Sequence, residues 1–402
     1  MRKFRRFIEC TVEGMLKVSG FITSITILII VIFLFREGLG LFQAPMIEKG
    51  YVLCVHSDNP VDKLSLSWIK DIFDSDIENW ETVGGKNQDI MVFRFNSIFN
   101  VYAEEEFGKD YELLPQRLGE IIRDNPAIIA YLPQMYIPAD MPEVKTLQNP
   151  LVNLTDFFGG RDWMPTATPA PLFGALPLIL GTLWVSFFAI LIALPLGLGV
   201  AVYLSELASE RIRKMLKPTI ELLAAIPSVV YGFFGLVVLV PIIQQTFNLP
   251  VGETALAGSV ILAIMALPTI ITVAEDAMRN TPRSMREASL SLGATDWQTI
   301  YRVVIPYSAS GISAAVVLGI GRAIGETMAV LMVTGNAAVM PHSLFEPIRT
   351  IPATIAAELG EAPAGGAHYQ ALFVLGCVLF LITMTVSVTA EIISKKQPGK
   401  GL

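Results

Sequence analysis

The sequence predicts an all-α polytopic membrane protein of six transmembrane helices, interrupted by one inserted α/β domain. Three observations carry this reading. Of 402 residues, 53% are hydrophobic and 16% charged, with a mean hydropathy of +0.56, whereas a soluble domain carries about 25% charge. Six apolar runs, roughly 18–35, 174–204, 219–244, 254–276, 308–336 and 369–393, meet the length of about 20 residues that a spanning helix needs. Residues 36–173 hold 11 Lys and Arg against 21 Asp and Glu, while the rest holds 18 against 15, so an acidic soluble module interrupts a slightly basic membrane chain. That balance makes nucleic acid a poor partner.

The first run follows Arg2, Lys3, Arg5 and Arg6, as a signal peptide would. Val18 to Phe35 is nevertheless of full spanning length, and Phe35-Arg36-Glu37-Gly38 is no small-residue cleavage site, so a retained anchor is expected. Lys and Arg concentrate in the N-terminal tail, in loop 205–218 (Arg211, Arg213, Lys214, Lys217), in loop 277–307 (Arg279, Arg283, Arg286, Arg302) and in the tail with Lys395, Lys396 and Lys400. Loops 245–253 and 337–368 contain only Arg349 between them. The positive-inside rule therefore puts both termini in the cytoplasm and residues 36–173 outside. Domains are expected at 1–42 (tail and first span), 43–150 (module) and 151–402 (five-span core).

Within the module, Tyr51 to Val55 reads as a strand, Asp58-Asn59-Pro60 as a turn and Ser65 to Phe73 as an amphipathic helix. Ile90 to Phe93 and Ala127 to Tyr131 read as further strands, with a helix over Pro115 to Arg123 between them. The phrases Asp58-Asn59-Pro60-Val61-Asp62, Leu64-Ser65-Leu66, Asp71-Ile72-Phe73, Asn79-Trp80, Val83-Gly84-Gly85 and Asn125-Pro126-Ala127-Ile128-Ile129-Ala130-Tyr131 resemble part of the extracytoplasmic phosphate-binding proteins of the type II periplasmic-binding group. In that group a Ser-Gly-Thr-rich turn at a helix N-terminus holds the oxyanion. Phe93-Arg94-Phe95-Asn96-Ser97-Ile98-Phe99-Asn100, at the corresponding place, lacks the glycine that lets backbone approach an anion. The resemblance implies a degenerate half-length relative that does not bind phosphate; an unrelated spacer is the alternative.

Loop 277–307 contains Arg286-Glu287-Ala288-Ser289-Leu290-Ser291-Leu292-Gly293-Ala294-Thr295 and ends on Val303-Val304-Ile305-Pro306. Glu287-Ala288 with Gly293 six residues after the glutamate resembles the EAA loop of ABC-importer permeases. Two short helices around a glycine break, the second ended before Pro306, would form a hairpin that inserts into a soluble partner; an ordinary interfacial helix is the bland alternative. The phosphate-cradling pattern G-x-x-x-x-G-K-[ST] does not occur, so the chain carries no ATPase site, and Gly319-Ile320-Gly321 reads as helix packing.

The fifth run holds Arg322 and Glu326, and an ionisable residue within a span is costly enough to suggest function. Counted from Ser310 at 1.5 Å per residue, Arg322 lies about 18 Å along the helix. Glu326 stands at i+4, on the same helical face. Two readings stand: a structural ion pair between helices, or a guanidinium offered to a passing oxyanion with Glu326 as its resting partner. Ser228 and Tyr231 either line the pathway with hydroxyls or bond helix to helix. Glu275 and Asp276 read as solvated end charges. His56, His342 and His368 lack ligand spacing, and Cys10, Cys54 and Cys377 lie in separate regions, so packed side chains are expected and no metal site.

From Leu154 to Lys396 the order of elements resembles the PstC family, one of the two permease subunits of the bacterial phosphate-specific ABC importer. Phe158-Gly159, Trp163, Pro165, Gly174-Ala175-Leu176-Pro177, Gly181-Thr182-Leu183, Ile226-Pro227-Ser228-Val229-Val230-Tyr231-Gly232 and Gly325-Glu326-Thr327-Met328-Ala329-Val330 through Asn336 carry the resemblance. It implies the type I ABC importer permease fold, a second, PstA-like permease subunit, a PstB-like ATP-binding dimer that uses ATP and Mg, a PstS-like phosphate-binding protein, and membrane lipid around the helices. No cofactor belongs to this chain, and no catalytic residue. The module between the first two spans departs from the family, whose segment there is much shorter. A permease for another oxyanion, or a phosphate sensor, are the rival functions.

Overall fold

The computed structural model describes residues 2–137 and 141–396, with the side chains of 2–11, 390 and 393–396 outside that description. Lys400 therefore lies outside the described residues, as do the side chains of Arg2, Lys3, Arg5, Arg6, Cys10, Lys395 and Lys396. The chain divides into two compact units, Met1–Ala175 with Pro363–Ala371, and Leu176–Ala362 with Leu372–Leu402. Residues 151–175 fall in the first unit.

The first unit begins with α1 (Arg2–Leu39), the long anchor helix that the apolar run predicts. Strand β1 (Tyr51–His56) precedes α2 (Leu66–Phe73), which starts where the Ser65 hydroxyl accepts the Trp68 N–H. Then come β2 (Met91–Arg94), α3 (Leu114–Asp124), β3 (Ile128–Pro133), β4 (Val144–Thr146), α4 (Leu154–Gly159) and the pair β5 (Trp163–Met164) and β6 (Leu172–Phe173). The sheet order is β2-β3-β1-β4, with β2 parallel to β3 and the other pairs antiparallel. All six residues of β3 are buried, which suits a central strand and explains its unbroken apolar run. Phe93, Leu118, Ile122, Ile128 and Leu132 close the core around Cys54, and burial pushes the Cys54 thiol up to about 12 against a hydrogen bond with Thr146. Cys54 is thus a packed, inert thiol.

The second unit holds α5 (Leu176–Val202), α6 (Glu210–Ala225), α7 (Ser228–Phe234), α8 (Val240–Phe247), α9 (Ala255–Arg279), α10 (Arg283–Ser291), α11 (Asp296–Thr299), α12 (Ile305–Tyr307), α13 (Ala309–Gly325), α14 (Met328–Val333) and α15 (Ile351–Glu358); α16 (Ala367–Lys396) follows. Helix α9 is its centre. Small residues along it, among them Ala257, Gly258, Ala263, Ala266 and Ala274, are buried and let α5 and α13 approach closely. The Ser259 hydroxyl donates to the carbonyls of Ala255 and Val185, tying α9 to α5.

Among the described residues five helices are long and apolar enough to cross a membrane, and a sixth results if Asp296–Tyr307 and Ala309–Gly325, bent by 71°, are one span. Two expected spans need correction. The third does not begin at 219: α6 is a separate helix, and the span is Ser228–Phe247. Its break is at Ile226 and Pro227, both extended (ψ 128° and 143°), because the residue before a proline is pushed out of the helical region. The fifth does not run unbroken from 308 to 336. Helix α13 ends at Gly325, Glu326 is extended at φ −70°, ψ 130°, and α14 starts afresh two residues later.

Candidate functional site

The two breaks adjoin the same pair of short helices. Helix α7 begins after Pro227 and α14 after Thr327, and they pack together at Gly232, where a Cβ would stand 3.0 Å from Ala329 Cα and 2.8 Å from Met332 Sδ. A side chain there would force Met332 aside and press on the α14 backbone. Helix breaks of this kind recur where transporters hold their cargo.

Arg322 stands in the last turn of α13, just before the break. Its Nη1 lies 3.3 Å from the Thr269 hydroxyl of α9. Glu326 does not pair with it: the i+4 argument assumed a continuous helix, and α13 stops between the two. Among the described residues no ion pair joins them, and Glu326 Oε1 instead accepts the Ala329 N–H at 3.3 Å, capping α14. The structure therefore assigns Glu326 a backbone role and leaves the Arg322 guanidinium against a neutral hydroxyl. Tyr231 takes the second of its two alternatives, bonding helix to helix, because its hydroxyl on α7 donates to the Leu223 carbonyl of α6 at 2.8 Å. Ser228 is half-buried at the first position of α7.

Loop 277–307 folds as the spacing predicts, into a helical hairpin. Gly293 has φ +86° and closes α10 by a pair of capping bonds, Gly293 N–H to Leu290 C=O at 2.9 Å and Ala294 N–H to Ser289 C=O at 3.3 Å. Thr295 then caps α11 through the Gln298 N–H, and Ser289 and Thr299 exchange a hydroxyl hydrogen bond at 2.9 Å across the hairpin. Pro306 does not end the second helix. The helical path continues through a π-turn over Ile300–Val304 to Tyr307, with Pro306 in the first turn of the short helix Ile305–Tyr307, where its missing N–H has no helical acceptor to lose. Glu287, Ala288, Gly293 and Pro306 are all exposed, beside Leu292 at 89% and Trp297 at 61% exposure.

Sequence reasoning missed the anchors of this hairpin, counting their cations only as topology markers. Arg286 Nη2 lies 2.8 Å from Glu206 Oε1 and 2.9 Å from the Met278 carbonyl. Glu275 is corrected from a solvated end charge to a buried one, 1% exposed, because three cations converge on it; Asp276 stays exposed. Burial disfavours the Lys217 charge, but hydrogen bonds to Glu275 and Asp276 outweigh this and hold the ammonium above its usual value. The paired arrangement around positions 275–286 was visible in the sequence only as charges of both signs in one loop.

A fold of several spanning helices carrying an exposed helical hairpin between two of them is that of a polytopic membrane permease. The family model described as the inner membrane component of binding-protein-dependent transport systems matches residues 193–397, and the chain belongs to that family. It is 41% identical over 257 residues to a probable ABC transporter permease protein, YqgH, of Bacillus subtilis, covering 63% of this chain and 83% of the relative. It is 38% identical over 265 residues to the phosphate transport system permease protein PstC of Pasteurella multocida, covering 61% and 81%, and 41% identical over 254 residues to that of Mesorhizobium japonicum, covering 58% and 76%.

Proposed function

We propose that this chain is the permease subunit of an ATP-driven importer that moves inorganic phosphate across the bacterial cytoplasmic membrane. The observation that carries the reading is Arg322, a guanidinium without a carboxylate partner among the described ion pairs, placed at a helix break within a spanning segment. Its planar fork matches two oxygens of a phosphate, and the names of the PstC relatives supply the anion. Thr269 is the guanidinium's polar neighbour on α9, and Ser228 opens α7 with a further hydroxyl, while the Tyr231 hydroxyl is held by Leu223. The hairpin over 277–307 couples the permease to a PstB-like ATPase dimer, with Glu287, Ala288 and Gly293 on its docking side and Pro306 at its base. A PstA-like permease subunit and a PstS-like binding protein complete the assembly. The basic loops put both termini in the cytoplasm and residues 36–173 outside. Proteoliposomes holding the four components are expected to accumulate radiolabelled phosphate only when ATP is enclosed.

The 43–150 module serves as a docking or gating cap on this reading. Where the binding proteins carry a glycine turn, β2 runs into a 3₁₀ segment, Phe95–Asn100, with Phe95 stacked on Tyr136 at 5.4 Å and Phe99 edge-on to Phe107. Aromatic rings occupy the place of anion donors, and the module's net negative charge repels phosphate at long range. A ligand at 100 times its Kd stabilises by about 2.7 kcal/mol, which moves the Tm of a domain of this size by roughly 10 °C or more. The isolated module is expected to show no such shift with phosphate. A saturable rise with phosphate and none with chloride would make it a fused receptor.

A further inference from the structure

Glu275 sits one turn before the end of α9 and is 1% exposed. A carboxylate is buried at high cost unless opposite charges and hydrogen bonds replace water. Here Arg213 Nη2 lies 2.9 Å from Oε1, Lys217 Nζ 2.6 Å from Oε2 and Arg279 Nη1 3.8 Å from Oε1, while Lys217 also reaches Asp276 Oδ1 at 2.9 Å. Two of the three cations come from α6. That helix has no buried side chain, and its apolar residues Met215 and Leu222 are among the exposed ones. Leu216 and Ile220 are only half-buried, so no fully buried apolar side chain of α6 holds it against α9, and the ion cluster on Glu275 supplies the buried contact.

Each side of the cluster leads somewhere. Three residues on, the Met278 carbonyl accepts the Arg286 guanidinium at 2.9 Å, so the hairpin is fixed to the same last turn of α9. In the other direction α6 passes through Ile226 and Pro227 into α7, and the Tyr231 hydroxyl of α7 holds the Leu223 carbonyl near the end of α6. Helix α7 in turn packs on α14 at Gly232, beside the break that follows Arg322. We infer that Glu275 is a positioning residue for transport: it is the joint through which movement of the 277–307 hairpin reaches α6 and, through α6, the α7–α14 site. The inference rests on the reading of that hairpin as the ATPase-coupling element.

The test measures phosphate transported per ATP hydrolysed by the full reconstituted complex, normalised to assembled complex. A cluster that only stabilises the fold changes how much complex assembles and leaves this ratio alone. Glu275→Gln is expected to lower the ratio at least tenfold with ATPase activity per complex within twofold of wild type, and Glu275→Asp to recover part of the loss. Lys217→Gln leaves Glu275 with two cations, so it preserves assembly, and a three- to fivefold loss is expected. Wild-type ratios in both Glu275→Gln and Lys217→Gln would overturn the inference; if Glu275→Gln does not assemble, an unchanged ratio in Lys217→Gln does so alone. Gly293→Trp separates the two levels. If it loses coupling while the Glu275 and Lys217 variants keep it, only this inference fails; if it keeps the wild-type ratio, the coupling reading itself fails.

Discussion

Arg322→Gln is expected to reduce phosphate uptake roughly 100-fold or more while the complex still assembles. The guanidinium offers phosphate two charge-assisted hydrogen bonds, each worth about 1.5–3 kcal/mol, and every 1.4 kcal/mol is about a factor of ten. Because the guanidinium lies against the neutral Thr269 hydroxyl, removing the charge strands no carboxylate. A structural ion pair predicts the opposite pattern, in which one buried partner is left uncompensated and assembled complex disappears. Arg322→Lys keeps the charge but loses the fork, so an intermediate rate is expected. Glu326→Gln retains an oxygen for the Ala329 N–H and is expected to transport within a few-fold of wild type. Uptake and complex yield, measured side by side for these variants, check each outcome.

Gly293→Trp is expected to uncouple the motor, with uptake down tenfold or more and ATP hydrolysis by the assembled complex retained. At φ +86° a residue with a Cβ meets its own backbone, at a cost of about 1–2 kcal/mol. That strain falls on the turn that sets α11 relative to α10, and the indole adds bulk on the exposed side beside Leu292 and Trp297. Gly293→Asn tolerates the left-handed conformation far better and is expected to keep most of the uptake. Equal uptake by the Trp variant and wild type would remove loop 277–307 from the coupling path.

Much of this architecture was legible because it depends on local composition and spacing. Apolar runs locate spanning segments, and the Glu287-Ala288 to Gly293 spacing locates a helical hairpin whose turn needs positive φ. In the module, β1, β2, β3, α2 and α3 fall where alternation and turn residues put them. Strand β4 did not, since three residues carry no period and only pairing with β1 defines it. The helix breaks were hidden for a different reason. Hydropathy reads Thr219 to Gln244 as one stretch because Ile226 and Pro227 are themselves apolar, and the Arg322 to Glu326 spacing implies pairing only if the helix continues past Gly325. Glu275 was illegible in principle. Its partners Arg213 and Lys217 stand about 60 residues away, and a carboxylate at a helix end looks solvated until the fold brings cations onto it.

On the function proposed here, phosphate moves through this chain at the expense of ATP hydrolysed by a separate subunit. The most direct measurement is ATP-dependent accumulation of radiolabelled phosphate in proteoliposomes containing this chain, its permease partner, the ATPase and the binding protein, with unlabelled sulfate in tenfold excess. Accumulation against a gradient, undiminished by sulfate, is expected, and none when the ATPase is omitted or when Arg322→Gln replaces the native chain. Accumulation that survives Arg322→Gln, or that proceeds without the ATPase, would contradict it.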